Sequence, residues 1–236
     1  MNIKERLHSK DWETVEENLT NKGYVIVENI LTRGECEQFI AQYNQETLYR
    51  KTITMERYRF GLGEYKYFQY PLPQLITDIR ETVYTYIAPL ANVWMKALQI
   101  GQTYPATHEA FKEVCHAHGQ DKPTALILKY GRDGFNTLHQ DLYGEIYFPM
   151  QLVLFLNEPD EDYTGGEFVL TESIPRAQSK ANVIKPKRGD MLLFTTNFRP
   201  ARGTKGYYRV AMKHGVSPVH SGERHTLGII FHDALS

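Results

Sequence analysis

The spacing of apolar and polar positions changes once along this chain. Up to about residue 120 apolar side chains recur at helical intervals; from residue 124 they alternate with a period of two. Residues 9–20 predict a short helix, and Gly23-Tyr24-Val25-Ile26-Val27 a strand. Thr32-Arg33-Gly34-Glu35 has the form of a capping box, in which a hydroxyl caps the helix start and a glutamate reaches back. It predicts a helix with Cys36, Phe39, Ile40 and Tyr43 on one face. Residues 47–72 show no clean period and read as loop with one or two strands. Residues 74–98 predict helix, with Pro89 starting a second helix or making a kink, and 107–118 predict another short helix.

The second half reads as strands at 124–130, 147–156, 167–171, 182–185, 190–195, 206–214 and 225–232. Turn chemistry separates them, at Gly131–Gly134, Asn157–Asp160, Gly165-Gly166, Lys187–Asp190 and Ser221-Gly222. Many short strands without intervening helices argue a barrel or sandwich rather than βαβ units. The class is α+β. A single domain over 1–236 is expected, with 1–119 a mainly helical support carrying one or more strands and 120–236 the β core. No internal repeat, linker or low-complexity tract interrupts it.

Composition narrows the possibilities. The 236 residues carry 27 Lys+Arg against 28 Asp+Glu, a formal charge of −1, which argues against a polybasic nucleic-acid coat or membrane-surface arm. With 42% hydrophobic and 12% aromatic residues the chain can bury a core. No run approaches the roughly 18–20 apolar residues of a membrane span, and Met1–Arg6 lack the apolar stretch of a secretory signal. Cys36 and Cys115, 79 positions apart, form no CxxC or disulfide-rich pattern, so a cytoplasmic protein with reduced thiols is expected.

The candidate chemistry lies in His139-Gln140-Asp141, His214 and Arg224. On an extended segment residues i and i+2 face the same way, so His139 and Asp141 present imidazole and carboxylate together. With His214, two imidazoles and one carboxylate make a facial triad that leaves coordination positions open, a donor set suited to Fe(II). Between His214 and Arg224 the chain reads strand, turn, strand, which brings Arg224 back beside the metal with a planar fork suited to a carboxylate. Thr226 and Gly228 share its face, one adding a hydroxyl and the other leaving room. Tyr130, inward-facing with Leu126 and Leu128, can reach the same carboxylate or simply pack. His220 falls in the expected turn, and His225 has the wrong parity to be a ligand. His232 shares the face of Arg224 and is a candidate for supporting a ligand, while His116 and His118 read as loop or helix-end residues.

At these positions the chain resembles the Fe(II)/2-oxoglutarate-dependent dioxygenases. The match runs through His139-x-Asp141 and His214-x-Val216-x-Pro218-Val219-x-x-Gly222-x-Arg224, with Asn157, Gly165-Gly166-Glu167 and Gly189-Asp190-Met191-Leu192-Leu193-Phe194 in order. It covers roughly residues 120–234. The resemblance implies a double-stranded β-helix, a cupin-like jelly roll, with an N-terminal helical layer packed on one sheet. It implies Fe(II) on His139, Asp141 and His214, 2-oxoglutarate and O2 as co-substrates, Arg224 with Tyr130 and Thr226 at the 2-oxoglutarate, and hydroxylation of a C–H bond with release of succinate and CO2.

Leu138–Glu145, Gly165–Glu172 and Arg224–Ala234 are further similar to a bacterial branch of small oxygenases described as acting on alkylated, damaged DNA. That points to a single-stranded or flipped-out damaged base, with no membrane or obligate protein partner. Arg57-Tyr58-Arg59-Phe60 and Tyr65-Lys66-Tyr67-Phe68 can stack and clamp a base or form half-buried strand. Arg199, Arg202 and Lys205 read as a solvated loop able to meet phosphate. With so neutral a chain, nucleic acid demands that Arg57, Arg59, Lys66, Arg199, Arg202 and Lys205 gather on the rim of the iron pocket. The alternatives are a hydroxylase of a protein side chain or metabolite, a non-catalytic cupin-like metal module, and a zinc hydrolase using the same ligands.

Overall fold

The structure, a computed structural model, describes residues 1–174 and 176–236. Five helices come first: α1 (Ile3–His8), α2 (Trp12–Lys22), α3 (Arg33–Gln42), α4 (Gln74–Ala97) and α5 (His108–Ala117). The capping box before α3 forms as the sequence predicts, Thr32 accepting from the Glu35 amide while Glu35 accepts from that of Thr32. Arg6 Nη2 also donates to both Glu35 carboxylate oxygens at 2.7 Å, which ties α1 to α3. The helix read over 9–20 forms as α2, capped by Asp11, and a further short helix that the pattern did not show, α1, precedes it with Asn2 as its N-cap. α4 continues through Pro89. Leu90, Ala91 and Trp94 beyond the proline are buried with Ile79, Val83 and Ile87 before it, and this shared packing outweighs the lost amide hydrogen bond.

Four strands also lie in this first half: β1 (Tyr24–Val27), β2 (Tyr49–Thr54), β3 (Gly61–Leu62) and β4 (Glu64–Phe68). Eleven follow: β5 (Leu126–Tyr130), β6 (Phe135–His139), β7 (Met150–Phe155), β8 (Tyr163–Gly165), β9 (Phe168–Ser173), β10 (Lys180–Ile184), β11 (Met191–Thr195), β12 (Phe198–Gly203), β13 (Gly206–Val216), β14 (Val219–Gly222) and β15 (Arg224–Ile230). The larger sheet runs β1-β11-β7-β15-β5-β4-β2; the other runs β10-β9-β13-β6-β3, with β12 also on β13; β14 pairs β8. The apolar run in β7 has a residue for each side. Leu152 and Leu154 meet the helical layer, whereas Val153 and Phe155 face the second sheet. This is the expected jelly roll, with helices covering one sheet.

The region read as loop with one or two strands supplies three, β2, β3 and β4. β6 and β12 escape the sequence pattern for different reasons. β6 alternates poorly because neither side is fully buried: Phe135, Asn136 and His139 are half-buried and Thr137 and Leu138 exposed. β12 contains Pro200 and Gly203, poor strand formers tolerated on a strand paired along one edge only. Among the described residues no helix is long and apolar enough to cross a membrane.

Candidate active site

β6 and β13 are antiparallel neighbours, and their register sets His139 opposite His214 although 75 positions separate them in the chain. Asp141 lies two residues past the end of β6. The ligand-type atoms of His139, Asp141 and His214 all fall within 4.8 Å of one another. His139 Nε2 is 3.6 Å from Asp141 Oδ1, His214 Nε2 is 3.2 Å from Oδ2, and the imidazole centroids are 4.2 Å apart. His139 Nδ1 lies 2.7 Å from the Thr137 carbonyl, so that nitrogen donates and Nε2 carries the lone pair toward the cluster. Phe168 stacks on His214 and Phe194 meets it edge-on, fixing that ring from the side.

Two further residues hold Asp141. The Tyr143 hydroxyl donates to Oδ1 at 2.7 Å, and Gln151 Nε2, from β7, donates to Oδ2 at 2.9 Å. Burial alone would raise the Asp141 pKa, but the adjacent His139 and His214, with Tyr143, hold it well below the usual carboxylate range. Burial, with His139 beside it, lowers that of His214. The result is an anionic carboxylate beside a neutral imidazole, the protonation states in which these groups bind a cation. Neither support was anticipated. Tyr143 has the i+2 parity of Asp141 and so was legible; Gln151 comes from another strand and left no local signal.

From the triad a cavity of about 220 Å³ runs inward, lined by Tyr130, Asn136, Arg224 and Thr226 on its polar side and by Leu126, Leu128 and Ile230 among its apolar residues. Arg224 is 1% exposed, yet its Nε and Nη1 have no hydrogen-bond partner. Its guanidinium carbon lies 5.5 Å from the Tyr130 ring centroid and 5.4 Å from that of Phe155. A buried guanidinium with unfilled donors awaits an anion. Gly166 makes room for it: its φ is +62°, and a Cβ there would sit 2.8 Å from Val219 Cγ2 and 2.9 Å from Arg224 Cδ. Tyr130 is wholly buried across from Arg224, its hydroxyl accepting from Asn136 Nδ2 at 3.3 Å. Gly228 lines the cavity too, but a Cβ there would meet Leu126 Cδ2 at 2.8 Å, so it serves packing as well as space.

The other candidates are dispersed. His232 is buried, accepts from the Phe148 amide at 3.2 Å and lies against Tyr143, so it reaches Asp141 only through that ring. His225 packs on Tyr43 and Asn157, away from the cavity as its parity predicts. His220 stands exposed on β14 rather than in a turn. His116 and His118 end α5, His116 bonding Asp233.

The expected ring of six basic residues is not present. Arg57 and Arg59 lie just before Phe60, which lines the cavity, and all three are exposed. Lys66 is buried over the Tyr43 ring. Arg199 turns inward onto Glu172 at 2.8 Å, and Arg202 and Lys205 belong to the β12–β13 hairpin. The alternation of β4 and the inner parity of Arg199 commit these two cations to packing before any ligand arrives.

Residues 63–234 match the family of oxygenases described as catalysing oxidative methylation of damaged DNA. The chain belongs to this family. It is 43% identical over 167 residues to an uncharacterized protein of Mycobacterium tuberculosis, covering 71% of this chain and 72% of that one. Its fold is that of the 2-oxoglutarate/Fe(II) oxygenases. A Trichoplax adhaerens prolyl hydroxylase solved with a hypoxia inducible factor peptide superimposes with a TM-score of 0.58 at 16% identity, over 98% of this chain and 92% of that one. A Burkholderia pseudomallei oxidoreductase of the 2OG-Fe(II) oxygenase family gives 0.54 at 15% identity, over 96% and 94%. Membership of an oxygenase family gives the convergent triad a use that the zinc hydrolase and the inert metal module lack.

Proposed function

We propose that this oxygenase holds Fe(II) on His139, Asp141 and His214, binds 2-oxoglutarate between that centre and Arg224, and hydroxylates a methyl carbon on a damaged nucleobase. One observation carries the reading: a single cavity is lined both by three convergent ligand atoms and by Arg224, a buried guanidinium whose Nε and Nη1 have no hydrogen-bond partner. The donor set fits Fe(II), and the orphaned nitrogens fit the far carboxylate of a dicarboxylate. Fe(II) with 2-oxoglutarate and O2 supplies the oxidising power for C–H hydroxylation, leaving succinate and CO2. On an N-methyl group the hydroxymethyl product sheds formaldehyde, so the net result is demethylation.

The protein's own contribution is position and exclusion. Tyr143 and Gln151 fix the Asp141 carboxylate, Thr137 fixes the tautomer of His139, and Arg224 with Tyr130 and Thr226 orients the co-substrate. Leu126, Leu128 and Ile230 keep the inner cavity apolar. At the mouth, Phe60 stacks on Tyr58 with centroids 5.5 Å apart and planes 17° from parallel, both exposed at 45% and 53%. Such a platform suits a base taken out of its stack. Although Lys66, Arg199, Arg202 and Lys205 stand away from the rim that the neutral chain demanded, Arg57 and Arg59 remain beside it. Cys36 and Cys115 are free and buried, in keeping with a reducing cytoplasm.

The test is formaldehyde and succinate release on N-methylated trinucleotides with Fe(II) and 2-oxoglutarate. Stoichiometric formaldehyde is expected. Succinate released with no formaldehyde from any methylated base, but stimulated by a peptide, would move the assignment to a protein side chain.

A further inference from the structure

Between Phe198 and Lys213 the chain carries Arg199, Arg202, Lys205, Arg209 and Lys213 and no acidic residue, in a protein of net charge −1. Arg199 is spent on Glu172 and the Thr20 carbonyl. The other four are exposed and take part in no ion pair among the described residues. Their arrangement follows from the hairpin register. Pro200 faces Arg209 and Arg202 faces Tyr207, so these pairs share one face, which by period two also carries Ala211 and Lys213. The opposite parity, Val210, Met212 and His214, is buried. Arg209 is held over the Phe198 ring at 5.0 Å.

This outer face begins beside the catalytic cluster. Lys213 precedes His214, and Arg209 lines a groove together with Gln140, Ser173 and Asn197. Gln140, between the two ligands of the His139–Asp141 pair, donates to the Asn197 and Met212 carbonyls at 2.9 and 2.7 Å and so joins hairpin to site. From Tyr207 to Lys213 is about 20 Å at roughly 3.3 Å per residue. That spans about six nucleotides of stacked strand at 3.4 Å each. Tyr207, 51% exposed among these cations, adds a ring on which a base can stack.

We propose that the outer face of the β12–β13 hairpin anchors the single-stranded nucleic acid whose modified base enters the cavity, with Arg202, Lys205, Arg209 and Lys213 on backbone phosphates and Tyr207 under a base. This rests on the nucleic-acid reading above. It assigns strand binding to a surface that runs from beside the triad to the hairpin tip, about six nucleotides along.

The experiment compares the wild type with Arg202→Gln/Lys205→Gln/Arg209→Gln, measuring anisotropy of a fluorescein-labelled 12-mer of dT across a KCl series. Loss of three phosphate contacts should weaken binding at least about tenfold at low salt and reduce the slope of log K against log salt by about 2. The tip-only Arg202→Gln/Lys205→Gln variant, which disturbs no packed ring, should lose about 1.4 of that slope. A methylated trinucleotide is too short to extend past Lys213 to Arg209, roughly 13 Å further along β13, or to the tip, and should be turned over equally by all three proteins, whereas a methylated 12-mer should show a raised KM in the variants. Unchanged affinity and slope in the triple variant would overturn the proposal. So would wild-type protein that ignores the 12-mer but is captured by phosphatidylglycerol vesicles. If no methylated substrate of either length reacts while the 12-mer still binds through the hairpin, the anchor stands and the demethylation reading falls.

Discussion

Tyr143 donates its hydroxyl to Asp141 Oδ1 at 2.7 Å, two residues along the same extended segment. The contact leaves the carboxylate one preferred orientation, with Gln151 on the other oxygen. Tyr143→Phe should weaken metal binding about 10- to 100-fold, the usual cost of removing a partner that orients a ligand. Asp141→Ala should cost more and abolish turnover. Mn(II) titration by electron paramagnetic resonance reads both, and unchanged thermal unfolding of the metal-free proteins separates ligation from folding. Equal Mn(II) affinity in wild type and Asp141→Ala would remove the carboxylate from the metal site.

The Arg224 side chain makes a different demand, because its partnerless Nε and Nη1 can donate to a carboxylate and cannot ligate a metal. Arg224→Gln should raise the 2-oxoglutarate requirement roughly 100-fold, from loss of a buried charge-assisted pair, with little change in Mn(II) affinity. Arg224→Lys should rescue poorly, since an ammonium cannot reproduce the fork. Gly166→Ala should act in the same direction by pressing on Arg224 Cδ. A 2-oxoglutarate KM unmoved by Arg224→Gln would exclude the assignment.

The sequence carried this site further than it carried the fold around it. Parity along one strand placed His139 with Asp141 and Arg224 with Thr226, because a period-two chain has only two sides. The meeting of His139 with His214 depended instead on strand register, and the resemblance, rather than periodicity, supplied it. Gln151 and the inward turn of Arg199 depend on contacts between distant strands, for which no local pattern exists. Pro89 does not start a second helix, and β12 forms around Pro200 where a solvated loop was expected, because tertiary packing overrules local weakness in both elements.

Buried histidines outside the site set the acid limit of stability. His108 lies with Nε2 2.9 Å from the Phe231 carbonyl, and burial, with Arg80 nearby, pushes its pKa from 6.5 down to about 3. Below pH 6.5 the unfolded chain takes up a proton that the folded chain refuses. The stability tied to His108 is therefore complete above that pH and is lost progressively as pH falls toward 3. Burial likewise takes His225 and His232 to about 4, with the same sign. At pH 5 each should cost on the order of 2 kcal/mol. Urea midpoints of the metal-free protein should fall between pH 7.5 and 5, less steeply in His108→Gln. A midpoint that rises on acidification would contradict the burial of these neutral rings.

Phe60 connects the cavity to the surface, and its role divides the nucleobase reading from its rivals. Its ring lines the cavity and also stacks on Tyr58, so a planar group extended from the mouth would continue that stack. Removing one stacking partner costs about 1–3 kcal/mol per base, equivalent to roughly 5- to 150-fold in affinity. Phe60→Ala should therefore raise KM for a methylated trinucleotide by that factor and increase succinate released per formaldehyde, because the base is held less often against the reacting centre. Succinate release without any nucleic acid should stay near the wild-type rate, since the variant keeps the Phe60 carbonyl that accepts from Thr137, the residue whose own carbonyl holds His139. Phe60→Trp, which keeps a stacking face, should recover most of the coupling. If both variants couple as well as the wild type, the exposed pair does not seat the base, and the substrate must be held by the walls of the cavity alone.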